Sequence, residues 1–497
     1  MKIALINSRQ SDTPVAPLGL LHNAACLLEH NFEVHLFDPF FDNRAYIKRL
    51  AEIKPDLIGL SILTSSYATA KNQLSLIKEI LPEAIFCAGG VHVTSLPEDT
   101  LNDLDLDFVV MGEGELTIVE ACKRLSKGDS LEGLEGVCYR DGGGIAIKNE
   151  GRELIKELDQ LPHPAWHLLP MDKYLIPPGY IRSYFSSRTI VIFATRGCPW
   201  ACIYCSSNIT FGRQVRYHSV EYVIDGLVHL IKEYNIDSFY FFDDTITVNE
   251  KWVKDFCELK LRRGIKLKWG CQSRVDRVDD ELVKAMSAAG CVQIDFGIES
   301  GSQKVLDEIK KGTTVEQAEN AFALCKKHQI RPYASVMIGN PGEEEKDVLL
   351  TASLLKRIKP VYTSVCYTQP MPGSKLYSLG IKNEWFVDDK SYRSDHWDLR
   401  KTIEPLMTIK IDKKKQMELR SKLQNQSFIR NYGFFLSLKT IPFIFELIIT
   451  FALKSGKILK SIRKIFKSGK IDDFVDELIL EHRKRLILKR TKHDYEM

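Results

Sequence analysis

The chain has 497 residues, 44% hydrophobic and 27% charged, which is too apolar for a disordered protein and too long for one ordinary domain. Two or three packed units are therefore expected. The net charge of +4 excludes a chain that seeks polyanions along its whole length, yet residues 401–497 carry 22 Lys and Arg against 11 Asp and Glu, a surplus of +11 that leaves −7 for the first 400.

The opening, MKIALINSRQ, runs directly into a strand-like pattern. It shows none of the basic, apolar and small-residue zones of a secretory signal, so a cytoplasmic location is expected. Thiols stay reduced there, and the 12 cysteines then read as buried fillers or metal ligands rather than a disulfide framework. The most apolar stretch, Phe434 to Leu453, is interrupted by Lys439, Pro442 and Glu446, so no membrane-spanning helix is expected.

Residues 1–126 alternate strand and helix. Apolar runs at Ile3–Ile6, Val34–Phe37, Leu57–Ile62, Ile85–Ala88 and Phe108–Met111 predict five strands, with helices at Leu18–Glu29 and Tyr67–Leu81 among the connections. This rhythm predicts a flavodoxin-like, Rossmann-like parallel sheet, whose ligand sits beyond the carboxyl ends of the strands. Residues 127–185 break the pattern with Asp141-Gly142-Gly143-Gly144 and then Pro162, Pro164, Pro170, Pro177 and Pro178, and read as a surface linker. From 186 to 385 the alternation returns. Strands at Ile190–Ala194, Phe239–Phe242, Leu267–Cys271, Val292–Ile298, Tyr333–Ile338 and Thr363–Thr368 predict a partial (βα)6 barrel of the TIM type, with its chemistry on the loops at the strand C-termini. Residues 386–497 turn helical and basic.

The most informative segment is Arg196-Gly197-Cys198-Pro199-Trp200-Ala201-Cys202-Ile203-Tyr204-Cys205, just after the first barrel strand. Three thiolates spaced by three and then two residues can wrap one small cluster, leaving one iron of a four-iron cubane open to another ligand. A structural zinc site would recruit a fourth protein ligand, for which His218 is a candidate. The spacing, with an aromatic residue before the last Cys, resembles the signature of the radical S-adenosylmethionine superfamily. The resemblance implies a 4Fe-4S cluster on Cys198, Cys202 and Cys205 whose open iron chelates S-adenosylmethionine. Reductive cleavage of that molecule then yields a 5′-deoxyadenosyl radical.

The same resemblance assigns further residues to S-adenosylmethionine. Asp243 and Asp244, after the second strand, would accept from its amino group. Ser273 and Arg274 follow the third strand. Glu299, after the fourth, would meet the ribose hydroxyls, which suits a carboxylate acceptor. Gly339, in Gly339-Asn340-Pro341-Gly342-Glu343 after the fifth, would let the backbone approach the adenine. Gln369-Pro370-Met371-Pro372-Gly373-Ser374 would close the site.

A flavodoxin-like unit ahead of such a barrel resembles the cobalamin-binding branch of the superfamily. The matching residues are Ser61, Thr64 and Ser65 after the third strand, Gly89, Gly90, Val91 and His92 after the fourth, and Gly112 and Glu113 after the fifth. Glycines there would let the backbone reach the corrin, and the small hydroxyls would bond its nucleotide tail. The chain lacks an Asp-x-His-x-x-Gly string, so the resemblance implies cobalamin without a histidine below the cobalt, its corrin face resting on the Val91–Val93 loop.

The tail mixes apolar runs, among them Phe434–Leu438, with Lys454, Lys457, Lys460, Arg463, Lys464 and Lys467. A helical cap on the barrel with a solvated basic face fits this pattern. So does an interfacial helix in peripheral contact with the inner face of an anionic membrane. No nucleic-acid module accompanies the charge, and nucleic acid is not expected as a partner.

The functional expectation is a cobalamin-dependent methyltransferase. It would use the radical on an unactivated carbon of a small-molecule or lipid-like substrate and take its electrons from a reductase or a flavodoxin or ferredoxin. A cyclisation or rearrangement with the same cofactors, and a non-catalytic iron–sulfur protein, are the alternatives.

Overall fold

The computed structural model describes residues 1–8, 15–42, 45–175, 188–386 and 404–432. Its first half is built on β1 (Lys2–Ser8), β2 (Glu33–Phe37), β3 (Leu57–Ile62), β4 (Ile85–Gly89), β5 (Phe108–Val110), β6 (Val137–Arg140) and β7 (Ala146–Lys148). They form one sheet in the order β2-β1-β3-β4-β5-β6-β7. Strands β1 to β5 run parallel, in the flavodoxin-like order expected from the alternation. Every residue of β1 after Lys2 is buried, because helices cover both faces of a central parallel strand.

The sheet is wider than the sequence reading made it. The segment 127–185, read as a surface linker, supplies β6 and β7 as an antiparallel hairpin on β5. It also buries Leu158, Leu161, Trp166 and Tyr174 in the core that runs into the barrel. Its Gly and Pro residues punctuate a packed hairpin and wrap, and punctuation alone does not distinguish these from an exposed connection.

The second half uses β8 (Thr189–Ile192), β9 (Thr195–Arg196), β10 (Arg216–Tyr217), β11 (Ser238–Phe241), β12 (Lys268–Ser273), β13 (Cys291–Glu299), β14 (Arg331–Ile338) and β15 (Tyr362–Tyr367). Six of these form a parallel sheet, β15-β14-β13-β12-β11-β8, the open barrel expected from the sequence. Side-chain caps start its helices: Ser219 accepts from Tyr222 N, Asn249 from Trp252 N, Asp279 from Leu282 N and Thr314 from Gln317 N. The helix Lys413–Tyr432 covers the edge strand β15. Leu419 and Leu423 are buried there, and Arg420 Nε donates to the Val365 carbonyl at 3.0 Å. No helix among the described residues is long and apolar enough to cross a membrane. The apolar and basic runs from Phe434 onward lie outside the described residues.

One buried ionic network joins the halves. Strands β9 and β10 pair antiparallel, setting Arg196 directly opposite Arg216. Like charges placed so would repel. Glu113, beyond the end of β5, separates them: it lies 3.0 Å from Arg196 Nη1 and 2.8 Å from Arg216 Nη1, while Arg196 Nη2 reaches Glu115 at 2.6 Å. All four side chains are buried, and the two carboxylates hold the Arg196 guanidinium charged, above its ordinary range. Removing one member strands the others, which typically costs about 3–5 kcal/mol. Glu113→Gln should therefore lower stability by about that amount in urea unfolding. Glu120→Gln, which breaks the part-exposed pairs to Arg124 and Arg152, should cost no more than about 1 kcal/mol. Equal losses in the two variants would contradict the assignment.

Candidate functional site

The cysteine loop is the tip of the β9–β10 hairpin. Gly197 has φ +98°, and a Cβ there would overlap the Gln214 carbonyl, so only glycine turns the chain at this point. The Cys198 amide donates to the Gly212 carbonyl at 3.2 Å, and the Ile203 amide to the Ile309 carbonyl at 3.0 Å. The loop is thus fastened both to its own hairpin and to the barrel. Cys198, Cys202 and Cys205 are free and half-buried, whereas every other cysteine except Cys366 is fully buried. Burial pushes the Cys205 thiol up to about 12 and the Cys198 thiol upward, so a bound metal must draw off their protons. No three His, Cys, Asp or Glu side chains among the described residues close around a single ion. His218, the candidate fourth zinc ligand, is engaged elsewhere: its Nδ1 lies 2.9 Å from Asp159, and its ring stacks on Tyr222 at 4.0 Å. Three half-buried thiols on one loop, with no fourth ligand beside them among the described residues, are a donor set that fits a cluster with an open iron.

The structure separates the two aspartates after β11. Asp243 is buried and turned toward β8, where Oδ1 accepts from the Ala194 amide at 2.9 Å, from Thr195 Oγ1 at 2.7 Å and from the Thr195 amide. It latches the strand end that leads into the cysteine loop. Burial raises its carboxyl to about 7. Asp244 opens toward the barrel mouth, accepts from Ser207 Oγ, and is also raised by the surrounding protein. Ser273 Oγ is 2.6 Å from Thr247 Oγ1. Arg274 is held by Asp276 at 2.9 Å and lies 4.1 Å from the Trp200 ring centroid, bracing the cysteine loop from the third strand.

Glu299 adopts φ +65°, an uncommon conformation for a side-chain-bearing residue and one found at functional sites. Its Oε1 accepts from Lys311 Nζ at 2.8 Å and from Tyr204 OH at 3.0 Å. Burial and the Glu299 carboxylate hold the Tyr204 phenol protonated, well above its ordinary range, so it donates. Tyr204 is the aromatic residue of the cysteine motif, and it thereby ties the cluster loop to the fourth strand. Gly339, at φ +88°, ends β14, and its amide donates to Glu343 Oε2 at 2.6 Å. Burial raises the Glu343 carboxyl to about 7.

In the first domain, Ser61 is the penultimate residue of β3, Thr64 and Ser65 follow the strand, and Gly89 ends β4. Gly90, at φ +109°, turns into the short helix Val91–Ser95; a Cβ there would meet the Ile62 carbonyl at 2.7 Å. Gly112, at φ +73°, faces open space and donates to Thr94 Oγ1 at 3.0 Å. Glycines at these strand ends, with open space over Gly112, fit the close approach of a flat corrin to the backbone. His92 turns inward, its Nδ1 3.2 Å from Thr64 Oγ1 and its ring 4.6 Å from that of Tyr67. The Glu113 side chain is taken up by the two arginines and by the Ile155 amide at 2.7 Å. Its contribution to a bound corrin is therefore limited to its backbone.

The two sets of loops meet. Helix Val91–Ser95 packs on helix Ser207–Phe211 of the cysteine loop. A Cβ at Gly373, in the segment after the sixth barrel strand, would collide with Ile209 and lie 2.9 Å from Ser95 Oγ. Sequence reading missed Arg216 and Lys311, and it placed Glu115 only in the Gly112-Glu113-Gly114-Glu115 loop of the cobalamin resemblance, without its ion pair to Arg196. Of the adjacent lysines Lys310 and Lys311 the first is exposed and the second is buried against Glu299, a difference that sequence does not mark.

Comparison with known proteins agrees with this division. Residues 4–121 match the B12 binding domain and residues 192–355 the radical SAM superfamily. An uncharacterised methyltransferase of Pyrococcus horikoshii is 34% identical over 84% of this chain and 87% of its own length. The cytidylyl-2-hydroxyethylphosphonate methyltransferase of Streptomyces wedmorensis is 28% identical over 75% and 79%. The anaerobic magnesium-protoporphyrin IX monomethyl ester cyclase of Rubrivivax gelatinosus is 27% identical over 69% and 62%. In fold, the chain is similar to TsrM, a radical S-adenosylmethionine methyltransferase from Kitasatospora setae solved with cobalamin and a [4Fe-4S] cluster. The TM-score is 0.64 at 18% identity, covering 76% of this chain and 73% of that one.

The Asp243 latch predicts a pH signature. Its carboxyl titrates near 7 when folded, against 3.8 when free, so between those values the folded state binds the extra proton and stability falls as pH rises. Asp243→Asn should remove this component. The stability of the variant relative to the parent should climb by up to about 1.4 kcal/mol per pH unit through that window, and a flat difference in urea unfolding would contradict it.

Proposed function

Because the chain belongs to the cobalamin-binding radical S-adenosylmethionine superfamily, we propose that it transfers a methyl group to an unactivated carbon of a small-molecule or lipid-like substrate. When bound, the 4Fe-4S cluster supplies the electron that splits S-adenosylmethionine, and cobalamin supplies the methyl carrier. An external one-electron donor of reductase, flavodoxin or ferredoxin type completes the system.

The chain's own residues bind and orient. Cys198, Cys202 and Cys205 hold the cluster. Asp244, directed to the barrel mouth, accepts from the amino group of S-adenosylmethionine, while Asp243 keeps β8 in place behind it. Glu299, fixed by Lys311 and Tyr204, accepts from the ribose hydroxyls, and the Gly339 turn brings backbone to the purine. Gly89, Gly90, Val91 and Gly112 bed the corrin, with Ser61, Thr64 and Ser65 beside its nucleotide tail. His92, bonded to Thr64 and packed on Tyr67, is held away from a cobalt ligand's role.

The observation that carries this reading is the meeting of helix Val91–Ser95, helix Ser207–Phe211 and Gly373. It sets the corrin-bed loops against the cluster loop, an arrangement that would bring a substrate radical and a methyl carrier together. Proximity of that kind is the protein's main contribution when cofactors carry the bond chemistry. Two of the relatives above are methyltransferases by name, which supports methylation. The cyclase relative favours a second reading, ring closure without methyl transfer.

Anaerobic incubation of the reduced, reconstituted protein with methyl-labelled S-adenosylmethionine and candidate acceptors separates the two. Label in a product is expected; 5′-deoxyadenosine with an unlabelled product would support ring closure. Cys198→Ala, Cys202→Ala and Cys205→Ala should each abolish 5′-deoxyadenosine formation and the iron absorption while the far-ultraviolet circular dichroism is kept. Turnover retained in all three would overturn the cluster assignment.

A further inference from the structure

The described part of the C-terminal region does more than cover the edge of β15. Met407 is buried in a cluster with Ile203, Leu306, Ile309 and Leu376, which joins the cysteine loop to the mouth of the barrel. A few residues on, Gln416 is only 1% exposed. Its Nε2 donates to the Met407 carbonyl at 3.1 Å and to the Ile411 carbonyl at 2.9 Å, so both amide hydrogens are used and the direction of the amide is set. Its Oε1 then occupies the space that a Cβ at Gly339 would take, and it accepts no hydrogen bond among the described residues. What that oxygen supplies at Gly339 is volume rather than a bond.

The Gly339 turn is thus gripped from two sides. Glu343 Oε2 takes the amides of Gly339 and Asn340, at 2.6 and 3.2 Å, and Gln416 fills the glycine notch. Glycine is the residue type most free to change conformation, so a glycine turn at a ligand needs such support to keep one shape. Glu343 lies four residues along the same loop and moves with it, whereas Gln416 arrives from outside the barrel on the helix Lys413–Tyr432.

We infer that Gln416 is a positioning residue for the nucleoside of S-adenosylmethionine: it wedges the C-terminal helix into the Gly339 notch and so fixes the backbone edge that a purine meets. The inference rests on the function proposed above. It makes the C-terminal region part of the nucleoside site, although its chemistry-poor sequence gives no sign of this.

The test is equilibrium dialysis of S-adenosylmethionine against the reconstituted full-length protein, with iron content and thermal melting measured alongside. Gln416→Ala empties the notch and should weaken binding at least about tenfold at unchanged iron content. Gln416→Met loses the two hydrogen bonds but keeps the volume; it should melt lower, as a purely structural role also predicts, yet bind within about threefold of the parent. Should the Ala variant not fold, Gln416→Val, with part of the volume, is read on the same scale. A folded Ala or Val variant that binds like the parent, or a Met variant as weak as Ala, overturns the inference while leaving the proposed function standing. Parent protein that carries its iron but binds no S-adenosylmethionine overturns both.

Discussion

The architecture depends on one carboxylate placed between two arginines. Arg196 and Arg216 face each other across a two-residue strand pair at the base of the cysteine loop. In isolation that pairing is repulsive. Glu113 reaches in from the other domain and compensates both, with Glu115 completing the charge balance. The hairpin that presents the three thiols is therefore held in shape by the domain that presents the glycine-lined strand ends. A buried network of this kind adds little net stability over apolar packing, but it tolerates a single geometry, and geometry is what a reaction between two cofactors requires.

A second layer of constraint follows from the motif's own aromatic residue. Tyr204 donates to Glu299, Lys311 supports the same oxygen, and Trp200 lies under Arg274. The Tyr204 and Trp200 contacts run from the cysteine loop to different barrel strands, so the loop is braced against the third and fourth strands as well as against the first domain. The strained backbone at Glu299 fits this picture, because the conformation persists only where its surroundings determine it.

Much of this was legible in the sequence, and the exceptions have physical causes. The apolar runs of β1 and β3, the alternating pattern of β13 and the helix Leu18–Glu29 could be read directly, since hydrophobic periodicity between amphipathic stretches has few other uses. Spacing alone marked Cys198, Cys202 and Cys205. The hairpin β6–β7 was not legible, because Gly-rich punctuation looks the same in a packed turn and in a linker. Asp243 and Asp244 are adjacent letters with divergent directions: one supports β8 and the other faces the barrel mouth, and only the end of β11 decides which. Glu113 reads as a cobalamin contact in a glycine loop until the chain folds two arginines around its side chain. Gln416 is one of several amides in a basic helix, and nothing in its neighbours announces the notch that it fills.

The opposed arginines also make the two halves answerable to each other. The carboxylates that neutralise the base of the cysteine loop belong to the glycine-lined domain, while the cations belong to the barrel. Pulled apart, each half would be left with like charges crowded together and no counter-charge. A lesion on either side of the seam is thereby felt on the other, and neither half is a freely exchangeable module.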